Sequence, residues 1–245
     1  MSDTPREFSI NQLIPNMLTI TAICAGVSAM RFGVQGNYVL AVQLILAAAV
    51  LDGLDGRVAR LLDSESKMGA ELDSLADFVN FGVVPPVVLY FWGMSHVRGF
   101  GWLAVLVFTI CCVVRLARFN VSAASEPKGD NRYFTGVPSP AGALLVMLPM
   151  FISFAFADHR ILPGALICIY MMVIGVLMIS RIPTWSFKTV RIPREKVKYF
   201  YVGVALAGAA FLTFTWECLV ALCIAYVIVV IVMLVVDRRN PKQES

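Results

Sequence analysis

Residues 52–77 read DGLDGRVARLLDSESKMGAELDSLAD. Asp52 and Asp55 are three apart, and Asp73 and Asp77 are four apart. On helices, each spacing puts both carboxylates on one face. A short turn between two such helices brings the pairs together. Four carboxylates at the edge of a low-dielectric region repel strongly, so something cationic must compensate. Arg57 and Arg60 offset part of the charge, but Arg57 falls on a different face from Asp55. An all-oxygen donor set suits hard divalent cations (Mg²⁺, Mn²⁺ or Ca²⁺) much better than zinc. Two such ions sharing bridging carboxylates clamp a phosphoryl group between attacking and leaving oxygens. Gly56 and Gly69 leave bare backbone beside the acids, where a helix or a nucleotide can come close. Ala59 is also small, and Arg60 is placed to meet a phosphate. Asp63, Glu65 and Glu71 fall outside the spacing and read as solvated. Solubility alone does not call for four aspartates at two helical spacings with glycines interleaved.

The elements that position these acids are membrane helices. The 245 residues are 59% hydrophobic and 15% charged, against about 25% charged in soluble domains. The apolar residues come in blocks close to the ~20 that cross a hydrocarbon core. The pattern predicts an all-α, polytopic transmembrane bundle of about eight spans: 13–32, 38–56, 71–93, 99–120, 139–157, 161–180, 199–215 and 217–236. The second helix is expected to run on into water, since VARLLDSESKMG holds no helix breaker before Gly69. Neither a repeat nor a low-complexity linker divides the chain, so 1–245 reads as one membrane domain. Residues 1–12 carry a weak apolar pattern (Phe8, Ile10, then Leu13) for a short interfacial helix, and no cleavable signal peptide is evident. The six cysteines make no CxxC pair and read as small buried apolar residues. Nothing in the pattern points to nucleic acid.

With eight spans, 17 of the 20 lysines and arginines fall on the side of the two termini and of residues 52–77. Only Arg31, Arg98 and Arg160 fall on the other. Positive charge stays inside, so the termini and the aspartates are expected at the cytoplasmic face of the inner membrane. A basic inner face suits anionic headgroups and phosphates. His96 and His159 map to outer loops, so chemistry at the inner face must use carboxylates.

The run Asp52-x-x-Asp55-Gly56-x-x-Ala59-Arg60, eight residues, then Gly69-x-x-x-Asp73-x-x-x-Asp77 resembles the signature of the CDP-alcohol phosphotransferase family at every fixed position. Pro15-Asn16-x-x-Thr19 fits the wider family. Three further stretches resemble its membrane-bound, serine-accepting branch: Asp73-Ser-Leu-Ala-Asp77 with Phe81-Gly82 and Pro85, Arg115-Leu-Ala-Arg118-Phe-Asn120, and Phe134-Thr-Gly136-Val-Pro138-Ser-Pro140. The resemblance covers roughly 13–145, a catalytic core, and leaves 146–245 as additional helices.

The resemblance implies transfer of a phosphatidyl group from CDP-diacylglycerol to an alcohol, with release of CMP. It implies two divalent metals, one on Asp52, Asp55 and Asp73 and one on Asp52, Asp73 and Asp77. Asp77 is the implied general base for the acceptor hydroxyl. Gly56, Arg60, Ser66 and Gly69 are expected along the nucleotide and its phosphates, with Asn16 and Thr19 near the cytidine. It also implies a homodimer. Acceptor choice rests on fewer residues. L-Serine carries a carboxylate that wants a cation, so Arg115, Arg118 and Asn120 are the candidate pocket, with Thr135 and Gly136 as its wall. Headgroup anchoring competes for both arginines, and the cluster 188–198 reads as a topology signal. Glycerol 3-phosphate, inositol phosphate or choline are the alternative acceptors. A divalent-cation transporter is the alternative from another class, but transporter sites lie near the midplane between repeats, unlike this terminal cluster.

Overall fold

The computed structural model of the chain describes residues 10–125, 133–157, 161–180, 183–185 and 197–239. The expected interfacial segment up to residue 9, His159, Arg160, and the basic cluster 188–198 up to residue 196 lie outside the described residues. So do Arg6, Lys128, Arg132, Arg181 and Lys242.

Among the described residues, five helices are long and apolar enough to cross a membrane: Leu13–Val34, Tyr38–Leu61, Lys67–Met94, Gly99–Ser122 and Thr215–Met233. They belong to α1 (Ile10–Val34), α2 (Tyr38–Leu61), a composite third helix, α5 (Arg98–Ser125) and α10 (Thr215–Arg239). A bent pair, α6 (Ser139–Val146) and α7 (Leu148–Phe156), makes a sixth if it is one span. Two apolar helices are shorter, α8 (Gly164–Ile179) and residues Tyr201–Thr213 of α9 (Val197–Thr213). The chain is thus a polytopic helical membrane protein. Large apolar side chains such as Val27, Val50, Ile110 and Leu212 point outward, as a lipid-facing surface requires. The core lies where α4 (Val84–Leu89), α5, α6, α7, α8 and α10 meet, around Phe108, Phe151, Met147, Met171 and Met178. The one non-helical pairing among the described residues is a short antiparallel ribbon, β1 (Tyr133–Thr135) with β2 (Pro183–Trp185). It qualifies the all-α expectation.

Prolines set the irregularities. The third helix runs as α3 (Lys67–Asp77), a π-helical turn (Phe78–Val83), α4 (Val84–Leu89) and a second π-turn (Tyr90–Met94). Pro86 has no N–H for the carbonyl of Gly82, four residues back. The Thr109 hydroxyl on α5 donates to that carbonyl instead, at 3.0 Å. Pro149 likewise offers nothing to the carbonyl of Leu145, and α6 and α7 meet there at 45°. The Tyr170 hydroxyl on α8 donates to the Leu145 carbonyl at 2.6 Å. In lipid no water can do this, so a neighbouring helix must.

The expectation that the second helix continues to Gly69 is corrected. α2 stops at Leu61 and α3 starts at Lys67. Asp63 takes a left-handed backbone, φ 46°, which short polar side chains tolerate best among residues other than glycine. The Ser64 N–H bonds back to the Ala59 carbonyl at 2.9 Å. Ser66 then caps α3, its Oγ accepting from the Gly69 N–H at 3.0 Å. No proline or glycine marks this reversal, which is why helix-breaker logic passes over it. Cys24 corrects the reading of the cysteines as buried. It faces outward, where a small apolar residue is at home in lipid, and Cys218 is half-buried.

Replacing Tyr170 with Phe, or Thr109 with Val, leaves a buried carbonyl without its hydroxyl donor. Each is expected to destabilise the detergent-solubilised protein by about 1 kcal/mol, read as a lower Tm. An unchanged Tm in both variants contradicts the assignment.

Candidate active site

The reversal at residues 62–66 folds α3 back along α2 and sets the two aspartate pairs against each other. One carboxylate oxygen from each of Asp52, Asp55 and Asp73 lies within 4.8 Å of the others. Asp77, one turn further along α3, has its carboxylate beside that of Asp52. Burial is graded: Asp73 is exposed, Asp52 and Asp77 are half-buried, and Asp55 is buried. The Thr19 hydroxyl on α1 donates to Asp55 Oδ2, a charge-assisted bond. Asp52 Oδ1 is buried and has no hydrogen-bond partner among the described residues. A buried carboxylate oxygen with nothing to accept from, among three like charges, is unfavourable unless a cation sits there. The donor set is oxygen only, so the residues fit a hard divalent ion.

A pocket of about 420 Å³ opens beside these acids. Asp55 and Asp73 form part of its wall, and Asn16, Thr19, Gly56, Arg60, Ser66 and Gly69 all line it. Every residue expected along the nucleotide thus surrounds one cavity. A Cβ at Gly56 would meet nothing within 4 Å, so its bare backbone faces open space. Gly69 is different: a Cβ there would lie 3.1 Å from Ser66 Oγ and 3.2 Å from Asn16 Oδ1. Its missing side chain lets α1 approach the start of α3. Arg60 is exposed at the rim and shares a smaller recess with Asp63 and Glu65. Asp63, Glu65 and Glu71 are exposed, as read from the sequence. His96 is exposed beyond Met94, roughly 25 Å along the helix from Asp77.

The residues expected around the acceptor have several partners. Arg115 Nη1 donates to Ser139 Oγ at 2.8 Å, and the Arg115 charge is felt at Asp77. Arg118 Nη1 donates to the carbonyl of Ile179 at 2.9 Å, closing the end of α8, where a cation also suits the helix dipole. Asn120 Nδ2 donates to Ser74 Oγ at 3.0 Å, tying α5 to α3 next to Asp73. Thr135 pairs with Pro183 in the ribbon. Gly136 adopts φ 84°, and a Cβ there would lie 2.7 Å from the carbonyls of Met178 and Ser180. Among those whose side chains are described, Arg115 is the one whose charge reaches Asp77. Ser139 sits inside a stretch that carries the resemblance but does not stand out by type. Asn80, three residues after Asp77, is buried with neither amide atom partnered among the described residues.

Residues 12–182 match the family described as CDP-alcohol phosphatidyltransferase. The chain belongs to that family. Its curated relatives include proteins named CDP-diacylglycerol–serine O-phosphatidyltransferase. One from Mycobacterium leprae is 42% identical over 214 residues, covering 86% of this chain and 71% of the relative. One from Mycobacterium tuberculosis is 37% identical over 217 residues, covering 88% and 76%. One from Bacillus subtilis is 35% identical over 176 residues, covering 71% and 91%. The family uses divalent metals, and the aspartate cluster of this member is an acidic group that could hold one.

Mn²⁺ at a hundredfold excess over its Kd is expected to stabilise the folded protein by about 2.7 kcal/mol, read as a higher Tm reversed by EDTA. Asp52→Asn is expected to raise the Tm of the metal-free protein, because one of four like charges is gone, and to abolish the Mn²⁺ gain. A variant that keeps the full gain contradicts a metal site at these residues.

Proposed function

We propose that this protein transfers the phosphatidyl group of CDP-diacylglycerol to the hydroxyl of L-serine, giving phosphatidylserine and CMP. The observation that carries the reading is the convergence of four aspartates beside a pocket lined by all six residues expected to hold the nucleotide. The names of the relatives support serine as the acceptor.

In this reading Asp52, Asp55 and Asp73 hold one divalent ion, and Asp52, Asp73 and Asp77 hold the other, with Mg²⁺ or Mn²⁺ favoured and Ca²⁺ also fitting the donor set. Bound there, such ions would supply positive charge against the diphosphate and the departing CMP. Thr19 fixes the rotamer of Asp55 through its hydrogen bond. Arg60 meets a phosphate from the rim, and Gly56 gives the nucleotide close access to the backbone. Asp77 takes the proton from the serine hydroxyl as the new oxygen–phosphorus bond forms and the bond to CMP breaks. Arg115, with Arg118 and Asn120 at the next turn of α5 and Gly136 as wall, frames the acceptor. The reaction asks mainly for positioning and electrostatics, which a rigid pair of helix ends supplies.

The site lies at the cytoplasmic face of the inner membrane, with both termini on that side. The charge asymmetry supports this placement, as does the need to draw cytidine and serine from water and acyl chains from lipid. All eight apolar segments cross the bilayer, α8 and α9 among them. Residues 13–145 form the catalytic core, 146–245 add helices to it, and the protein works as a homodimer.

Purified protein with CDP-diacylglycerol and Mn²⁺ is expected to release CMP when L-serine is added, and far less with glycerol 3-phosphate, inositol phosphate or choline. Asp77→Asn is expected to lower kcat by roughly 10²–10⁴. Full activity in that variant contradicts the base assignment. No CMP release with any acceptor contradicts the reading as a whole.

A further inference from the structure

The buried face of α10 runs through Leu219, Val220 and Cys223. Cys223 Sγ lies 3.6 Å from the Leu144 carbonyl on α6. Tyr226 is three residues on, so it shares that face. Its hydroxyl lies within electrostatic range of the Arg115 guanidinium. Arg115 already spans to Ser139 at the start of α6 through Nη1, at 2.8 Å. Two polar atoms of this cluster are left over. Arg115 Nε and Tyr226 Oη are both buried, and neither has a hydrogen-bond partner among the described residues. Asp77 faces the same guanidinium.

A buried guanidinium N–H and a buried phenol with no acceptor are costly to leave unmade. Both can donate, and their side chains lie within electrostatic range of each other. Their natural complement is one compact anion that presents two acceptor oxygens side by side. A carboxylate does so, and arginine binds carboxylates with directed N–H donors.

We infer that Arg115 Nε and Tyr226 Oη together bind the carboxylate of the amino-acid acceptor, so that α10 completes the acceptor pocket. This rests on the reading of the protein as a phosphatidyl transferase to serine. A carboxylate held there leaves the serine hydroxyl to meet Asp77, which lies within electrostatic range of the same guanidinium. Tyr226 is then a specificity-determining residue contributed by a helix that carries no motif. Acceptors without a carboxylate leave two buried donors unpaired, and a site of that kind discriminates strongly.

The test compares wild-type protein with Tyr226→Phe, using Mn²⁺, CDP-diacylglycerol and L-serine. The variant is expected to raise KM for serine about tenfold, the effect of losing one hydrogen bond to a charged group. KM for CDP-diacylglycerol should stay the same. Tm without serine should stay equal or rise, because an unpartnered buried hydroxyl has been removed. An unchanged KM for serine overturns the inference. So does a lowered Tm with both KM values shifted together, which marks a packing role. Wild-type protein that releases no CMP with serine overturns the underlying reading as well, so the two failures are told apart.

Discussion

Four carboxylates held together at the facing ends of α2 and α3 repel one another, and most of the surrounding architecture manages that repulsion. The turn at residues 62–66 brings the pairs within reach, through the left-handed backbone of Asp63 and the Ser66 cap. Thr19 reaches across from α1 and fixes Asp55, the most buried of the four. Asn120 braces α3 from α5 through Ser74. What remains is an excess of negative charge with one oxygen of Asp52 left unpaired. That oxygen-only cluster could hold a divalent cation. Under the proposed function, such a cation would draw in a ligand rich in phosphate. The order of causes on the protein's side runs from turn to carboxylate spacing.

The same logic governs the backbone within the membrane. Prolines at 86 and 149 each withhold a helical hydrogen bond, and in both cases a hydroxyl on another helix donates to the freed carbonyl. These bonds lock α5 to the π-turn after Asp77 and α8 to the α6–α7 bend. Bends that would be soft in isolation become fixed contacts. The start of α6, which holds Ser139 against Arg115, is thereby set relative to the aspartates. Catalysis that relies on positioning needs this rigidity more than it needs any further reactive group.

Much of this was legible in the sequence because aspartate spacing and apolar block length are direct readouts of helical geometry. The carboxylate faces follow from spacings of three and four residues, the long spans from the length of the apolar blocks, and the pocket residues from the resemblance to the family. The reversal after Leu61 was not legible, because it depends on one left-handed aspartate rather than on glycine or proline. The π-turns were hidden as well: a proline announces a broken bond but not the remedy. Arg115 and Arg118 stood out by type and place, but the bond from Arg118 to the Ile179 carbonyl at the end of α8 did not. Tyr226 carried no signal at all. It sits in the apolar middle of α10, and only the fold brings it within electrostatic range of Arg115.

The central claim is that the four aspartates form one cage for two bridged divalent ions. Electron paramagnetic resonance of the purified protein titrated with Mn²⁺ tests this most directly, since two ions sharing carboxylates couple magnetically. The account predicts two Mn²⁺ bound per chain with a spin-coupled spectrum, falling to a single uncoupled ion in Asp77→Asn. A wild-type protein that binds one isolated Mn²⁺, or none, contradicts it.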